Sequence, residues 1–194
     1  MIRTSRRAVR AALVAAVSMI LAAVLLGCSG GGSDPDGEEP SAQPLEAIPG
    51  VSTTVSFGKV TGRLDRDRRA PLRRRVTQTF DSWVDAAYVA DDRSDPFSVF
   101  SKDAAVLAKR DKALMSNAGM GDRLDSVTAT SRKLTIDVLA DKGRPVGVTG
   151  RFVLVLQMDG DVQRTDRIAG RLLLRYLKDG WHVFGYDVKR GRVA

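Results

Sequence analysis

Apolar positions change their period along this chain, and each change marks a different element. Ala11 to Leu26 is a sixteen-residue run broken only by Ser18. Between Val51 and Leu64 the period is two, through Val51, Thr53, Val55 and Phe57, which predicts a short strand ending near Gly58 and Gly62. Leu72, Val76, Phe80, Trp83, Val84, Ala87 and Tyr88 then recur at steps of three and four, predicting an amphipathic helix from Pro71 to Ala90 with the proline in its first turn. Asp91 to Pro96 interrupts it. Ser101 stands as the cap of a second helix, Lys102 to Met115, with Ala104, Leu107, Ala108, Leu114 and Met115 on its buried side.

From Leu124 the period returns to two. Leu134, Ile136 and Val138 alternate with polar neighbours, Val146 to Met158 carries Val146, Val148, Phe152, Leu154, Leu156 and Met158 on one parity, and Ile168–Leu177 and Trp181–Val188 follow. Four antiparallel strands are the economical reading, joined by turns at 141–145, 159–161 and Asp179-Gly180, the last a pair suited to a two-residue type I′ loop. A three-residue loop at 159–161 sets Met158 against Val162 and Gly150 against Gly170, two strand glycines whose pairing would curl the sheet along one line. The expected class is α+β: two N-terminal helices on the concave side of a curved four-stranded antiparallel sheet, with room for an extra strand before the first helix.

Composition refines this picture. The chain has 194 residues, of which 43% are hydrophobic, enough for one core of ordinary size. Residues 29–50 are polar, Gly- and Pro-rich, and read as a flexible acidic tether with Asp34, Asp36, Glu38, Glu39 and Glu46 and no base. Four of the 31 basic residues precede Cys28 and five of the 23 acidic ones lie in the tether, so residues 51–194 hold 27 bases against 18 acids. Much of that excess is concentrated. Arg63, Arg66, Arg68, Arg69, Arg73, Arg74 and Arg75 fall within thirteen residues, a density that suits an anionic membrane surface or a partner protein, or else a solvated helix entrance.

Arg3, Arg6, Arg7 and Arg10 precede the apolar run, which is shorter than the roughly 20 residues of a spanning helix and closes on Leu25-Leu26-Gly27-Cys28. This arrangement resembles the signal of bacterial lipoproteins. The resemblance makes Leu25, Leu26 and Gly27 the lipobox and residues 1–27 a removable signal peptide, with Cys28 receiving a diacylglyceryl group. Thr4-Ser5-Arg6-Arg7-Ala8-Val9-Arg10 also resembles a twin-arginine export signal, although Val9 replaces the preferred Phe, so the ordinary secretory route is favoured. Either route implies a chain anchored in the cell membrane and facing outward, which excludes nucleic acid as the partner of the arginines. Cys28 is the only cysteine, so intramolecular disulfides and cysteine-based zinc sites are excluded.

Helices first, then long strands ending in Asp179-Gly180-Trp181-His182-Val183-Phe184-Gly185-Tyr186-Asp187-Val188, resemble the nuclear transport factor two-like superfamily within the cystatin-like group, over Pro71 to Arg190. That superfamily contains isomerases, dehydratases and cyclases beside members that only bind or dimerise. If its isomerase chemistry were present, Tyr88, Asp85 and Asp187 are the residues here that could fill the carboxylate and tyrosine roles. Trp83, Trp181 and Tyr186 could join them in lining an apolar pocket, although as core residues they need no ligand. The sole histidine, His182, gives no metal site or triad, and neither phosphate loop nor calcium loop is present. The residues therefore point to a tethered envelope lipoprotein, from 51 to 194 one domain, with a binding, scaffolding or accessory role and no cofactor. Its partners would be the membrane, an envelope protein, a second copy or a small apolar ligand. A small pocketed enzyme acting on an apolar ligand is the alternative.

Overall fold

The computed structural model describes residues 51–89 and 95–193. The signal segment, Leu25 to Cys28, the tether and the Asp91–Ser94 part of the interhelical break lie outside the described residues. The element order is β1 (Thr54–Thr61), α1 (Arg66–Val84), α2 (Lys102–Arg110), α3 (Lys112–Met115), then β2 (Leu124–Asp141), β3 (Arg144–Gly160), β4 (Arg164–Leu177) and β5 (Gly180–Arg192). The five strands form one sheet in sequence order, with β1 parallel to β2 and every other pair antiparallel.

This corrects the expected two helices on a four-stranded antiparallel sheet in two respects. The sheet is mixed and five-stranded. Val55, Phe57 and Val60 pack partly buried against the core, and β1 runs parallel to β2 because the intervening helices carry the chain back across the sheet before β2 begins. Only α1 is long. The second predicted helix breaks at Asp111, whose φ and ψ of −88° and 23° leave nine residues before it and one short turn after it. Ala104, Ala108 and Met115 are buried as expected, but Leu107 is 52% exposed, and Ser101 stands at the cap position without a side-chain cap bond.

α1 starts at Arg66, five residues before the predicted start, so Pro71 lies inside the helix rather than at its first position. The helix then passes into a π turn, Asp85–Val89. Asn117 completes that end: its backbone N–H donates to the Ala87 carbonyl at 2.9 Å and its side-chain amide to the Tyr88 carbonyl at 2.9 Å, satisfying acceptors that a helix terminus otherwise leaves open.

One face of the sheet holds the core. Leu134, Ile136 and Val138 of β2, Phe152, Leu154, Leu156 and Met158 of β3, and Ile168, Leu172 and Leu174 of β4 are buried on it under α1. The parity changes where the register shifts. Between Ala129 and Ser131, buried positions pass from Ala129 to Arg132; between the pairs Leu173–Gly185 and Leu174–Val183, Phe184 is the extra residue, and β5 switches from Trp181 and Val183 to Val188. Val146 is likewise the extra residue between Leu139–Gly147 and Ala140–Pro145, which explains why it is exposed despite sharing parity with Val148.

The turns also depart from expectation. Met158 pairs with Arg164 and not Val162, so five residues, 159–163, separate the last β3–β4 pair, and Gly150 faces Leu172 while Gly170 faces Phe152. The two glycines are not paired. Asp141 pairs with Arg144, leaving Lys142-Gly143 as a two-residue loop with φ of 48° and 81°, the double positive φ of a type I′ turn. At the other hairpin the loop is Lys178-Asp179, neither with positive φ, and Gly180 opens β5 with φ 145°.

Gly143 is also a joint. Its carbonyl accepts the Asp65 N–H at 3.1 Å, Leu64 bridges it, and a Cβ there would stand 2.2 Å from the Asp65 carboxylate. Gly143→Val should destabilise the domain by about 1–3 kcal/mol, since a β-branched residue must adopt a left-handed φ and displace the start of α1. A lowered denaturant midpoint with unchanged slope checks this, whereas a wild-type midpoint would contradict the turn.

Candidate functional site

The residues expected to line an enclosed pocket do not converge. Trp83 is fully buried and meets Phe80, Tyr88, Phe100 and Phe152 in tilted or edge contacts with centroids 5.4–6.2 Å apart, while its indole N–H donates to the Met115 carbonyl at 3.3 Å. Tyr88 is buried and its hydroxyl donates to the Leu114 carbonyl at 2.8 Å. Burial drives its pKa upward, so it stays a neutral phenol. Tyr186 donates to the Asp111 carboxylate at 2.8 Å, and burial, followed by that hydrogen bond and charge, raises its pKa too. Asp187 pairs with Arg171 at 3.3 Å, both exposed. His182 sits beside Asp179 at 3.1 Å. Phe184, at 44% exposure, packs under Arg175 with the guanidinium 5.6 Å from the ring centroid. Asp85, Tyr88 and Trp181 open onto three separate clefts. Among the described residues the Tyr88 hydroxyl is engaged by a backbone carbonyl and the Tyr186 hydroxyl by Asp111, and Asp85 and Asp187 approach neither tyrosine.

Asp85 has a different task. It forms an ion pair with Arg132 at 2.7 Å, and Arg132 is a buried cation on the inner face of β2. Asp81, one helical turn earlier, accepts the Thr53 hydroxyl and tops the same cleft. Its pKa is raised, first by burial, against the lowering effects of the Thr53 hydrogen bond and the Arg132 charge. Asp81 gave no sequence signal, because an acid on the polar flank of an amphipathic helix has no distinguishing pattern.

The arginine cluster remains outside the core. Arg66, Arg68, Arg69, Arg73, Arg74 and Arg75 are all exposed on the first half of α1. The helical period divides them around the apolar stripe of Leu72, Val76 and Phe80. On one flank, Arg69 lies 5.8 Å from the Phe57 ring centroid and Arg73 donates to the Val55 carbonyl at 2.8 Å, so these two fasten α1 to β1. On the other flank, Arg68 and Arg75 line an open cleft with Pro71 and Leu72 of α1, Arg144 and Pro145 of β3, Tyr176 of β4 and Trp181 of β5. Arg63 precedes the helix and pairs with Asp65 at 3.4 Å in solvent.

The cleft occupies about 510 Å³ and no carboxylate lines it. Tyr176 is 56% exposed and stacks edge-on against Trp181 at 5.8 Å. Among the described residues Arg75 and Arg144 have no ion pair, and the one ion pair of Arg68 is to exposed Asp67 at 3.9 Å. Arg144, Pro145 and Tyr176 were not singled out from the sequence. Only the Lys142-Gly143 turn and the β4–β5 hairpin bring them beside α1, and neither register was legible in advance.

No group of three or more His, Cys, Asp or Glu side chains suited to a metal occurs among the described residues, nor does a helix long and apolar enough to cross a membrane. No family model, curated protein or solved structure matches the chain.

The contrast between the two helix carboxylates is testable. Asp85→Ala removes the ion-pair partner of buried Arg132 and, with Asp85 itself half exposed, should cost about 1–3 kcal/mol. Asp81→Asn keeps an acceptor for Thr53 while relieving a half-buried charge, and should be neutral or stabilising at pH 7. A carboxyl whose folded pKa is raised binds more protons folded than unfolded, so its ionisation lowers stability as pH rises from the unfolded value through the folded one. The gain from Asp81→Asn, read by denaturant melts, should therefore shrink as pH falls to 4.

Proposed function

We propose that this protein is a lipid-anchored accessory protein of the cell envelope, held by Cys28 on the outer face of the cell membrane and docked onto that membrane through the arginine face of α1. The observation that carries the reading is the exposure of all six arginines of Arg66–Arg75 on one 19-residue helix. Burial against a core would have given them partners; only Arg69 and Arg73 are tied to β1.

Anchor and arginines act together. One or two acyl chains with a polybasic surface form a two-signal attachment, with about 1 kcal/mol per base near an anionic leaflet. A Gly- and Pro-rich linker of 22 residues, 29–50, spans roughly 25 Å. The domain thus stays within reach of the headgroups to which the lipid is fixed. An accessory role is favoured over catalysis because Tyr88 and Tyr186 already donate to protein acceptors and Trp83 fills the space an enclosed substrate would need.

Two measurements test this. Cys28→Ser should release the protein from the membrane fraction or leave it as an unprocessed precursor, and an immunoblot showing normal mature size with membrane retention would overturn the anchor. The mature chain bearing Cys28→Ser should co-sediment with phosphatidylglycerol vesicles at 0.1 M salt and much less at 1 M, where the Debye length falls from about 10 to about 3 Å. Changing Arg68, Arg69, Arg73, Arg74 and Arg75 together to Gln should abolish most of that binding. Indifference to anionic vesicles at low salt would refute docking.

A further inference from the structure

We propose that the cleft between the first half of α1 and the ends of the β2–β3 and β4–β5 hairpins is a headgroup site for an anionic glycerophospholipid. Arg68, Arg75 and Arg144 hold the phosphate, and Tyr176 and Trp181 face the glycerol and first methylenes. This deepens the membrane-docking reading and rests on it. It adds a discrete pocket to what would otherwise be a diffuse charge attraction.

The chemistry of the lining selects the occupant. Three arginines from two separate elements line a cleft whose lining has no carboxylate, so the formal charge of the lining is positive. Arginine forks match phosphate oxygens in geometry as well as charge. The side of the first half of α1 forms one wall. Yet the remaining surface is apolar: Pro71, Leu72, Pro145 and the two aromatic rings. A free phosphate would leave that surface unused, and a plain hydrocarbon would strip water from three cations without pairing them.

A phosphate attached to an apolar body satisfies both halves. Tyrosine and tryptophan are also the side chains that settle at the level of lipid headgroups, polar atom toward water and ring toward the chains. About 510 Å³ accommodates a headgroup with its glycerol. Arg144 connects the site to the fold, because it immediately follows the Lys142-Gly143 turn that joins the hairpin to the start of α1.

The protein carries its own reporter. Of its two tryptophans, Trp83 is fully buried and Trp181 lines the cleft, so ligand-induced fluorescence change reads Trp181. The mature chain bearing Cys28→Ser is titrated with dihexanoyl-phosphatidylglycerol below its micellar concentration, with calorimetry in parallel. A saturable response is expected, weakened at least tenfold by Arg144→Gln and by Tyr176→Ala at unchanged melting temperature, and unaffected by Lys189→Gln, an equal charge change on the opposite sheet face. Arg144→Lys should fall between, since it keeps charge and loses the fork.

Absence of saturable binding, or wild-type affinity in both Arg144→Gln and Tyr176→Ala, overturns the site. Equal affinity for glycerol 1-phosphate would make it a free-phosphate site; equal affinity for the phosphatidylcholine analogue would show that it does not select anionic lipid; competition by an oligoglutamate peptide at equal affinity would assign it to acidic protein. Each of these results defeats the lipid proposal. If vesicle co-sedimentation persists while short-chain lipid does not bind, the pocket is wrong and the docking function stands; if vesicles are ignored, the docking reading fails with it.

Discussion

Trp83 is the constraint around which the domain closes. Its ring touches Phe80 from its own helix, Phe152 from the central strand β3, Phe100 from the segment before α2 and Tyr88 from the π turn. One side chain therefore sets the distance of α1 from the sheet and the approach of the chain leading to α2. Val99 and Ser101 in turn exchange backbone hydrogen bonds with Val183, at 3.0 and 2.8 Å, which covers the beginning of the β5 edge. Large aromatic rings in edge contact contribute beyond their buried area. The same ring fills the space between α1 and β3.

A second fixing point is polar. Asp166 is buried on β4 and accepts from Arg190 at 2.6 Å and Arg164 at 3.0 Å. Arg190 continues to the Asn117 side chain at 2.7 Å and the Ser116 carbonyl at 3.1 Å, and lies 5.8 Å from the Tyr88 ring centroid. The chain end of α3 and the π turn are thereby bound to the last strand. Breaking one member of such a buried pair costs more than the pair contributes, because the survivor is left charged and desolvated. Arg132 with Asp85 does the equivalent work on the β2 side. In one cross-sheet row, Arg132, Leu154, Ile168 and Arg190, the apolar centre is thus flanked by two paired cations.

What was legible in the sequence follows from range. The stripe through Leu72, Val76, Phe80 and Trp83 and the alternation of Leu134, Ile136 and Val138 are local, and both are buried in the structure. Register is not local. The same-parity run that placed Val146 with Val148 ignored an extra residue opposite Leu139 and Ala140, and the assumed 159–161 loop shifted every β3–β4 pair by two. Pro71 concealed the first turn of α1, since a proline usually marks a helix start rather than its interior. The parallel partner of β1 could not be foreseen from its own residues, because parallel pairing depends on where a long crossover returns. Of the candidate site, the helix arginines and Trp181 could be read directly, whereas Arg144 and Tyr176 needed two hairpin registers to arrive beside them.

The division of the arginines also bears on why a cluster of this size lies on a helix and not on the tether. A basic segment within a linker attracts a membrane without orienting the domain. On α1 the charges are rigidly related to the sheet: Arg69 and Arg73 are engaged with β1, and Arg68 and Arg75 border the Tyr176–Trp181 cleft. Attraction to an anionic surface then turns one defined face toward it. A lipid anchor already confers a high effective concentration at the bilayer, so added affinity matters less than orientation. In the proposed docking, the face of the sheet opposite α1 would be directed away from the membrane. There Arg151 pairs with Asp137 at 2.7 Å and Arg171 with Asp187 at 3.3 Å, beside the exposed Lys133, Arg167, Arg175 and Lys189. On the proposed reading, orientation by rigid charge, more than retention by lipid, is what the folded domain would add to the anchor.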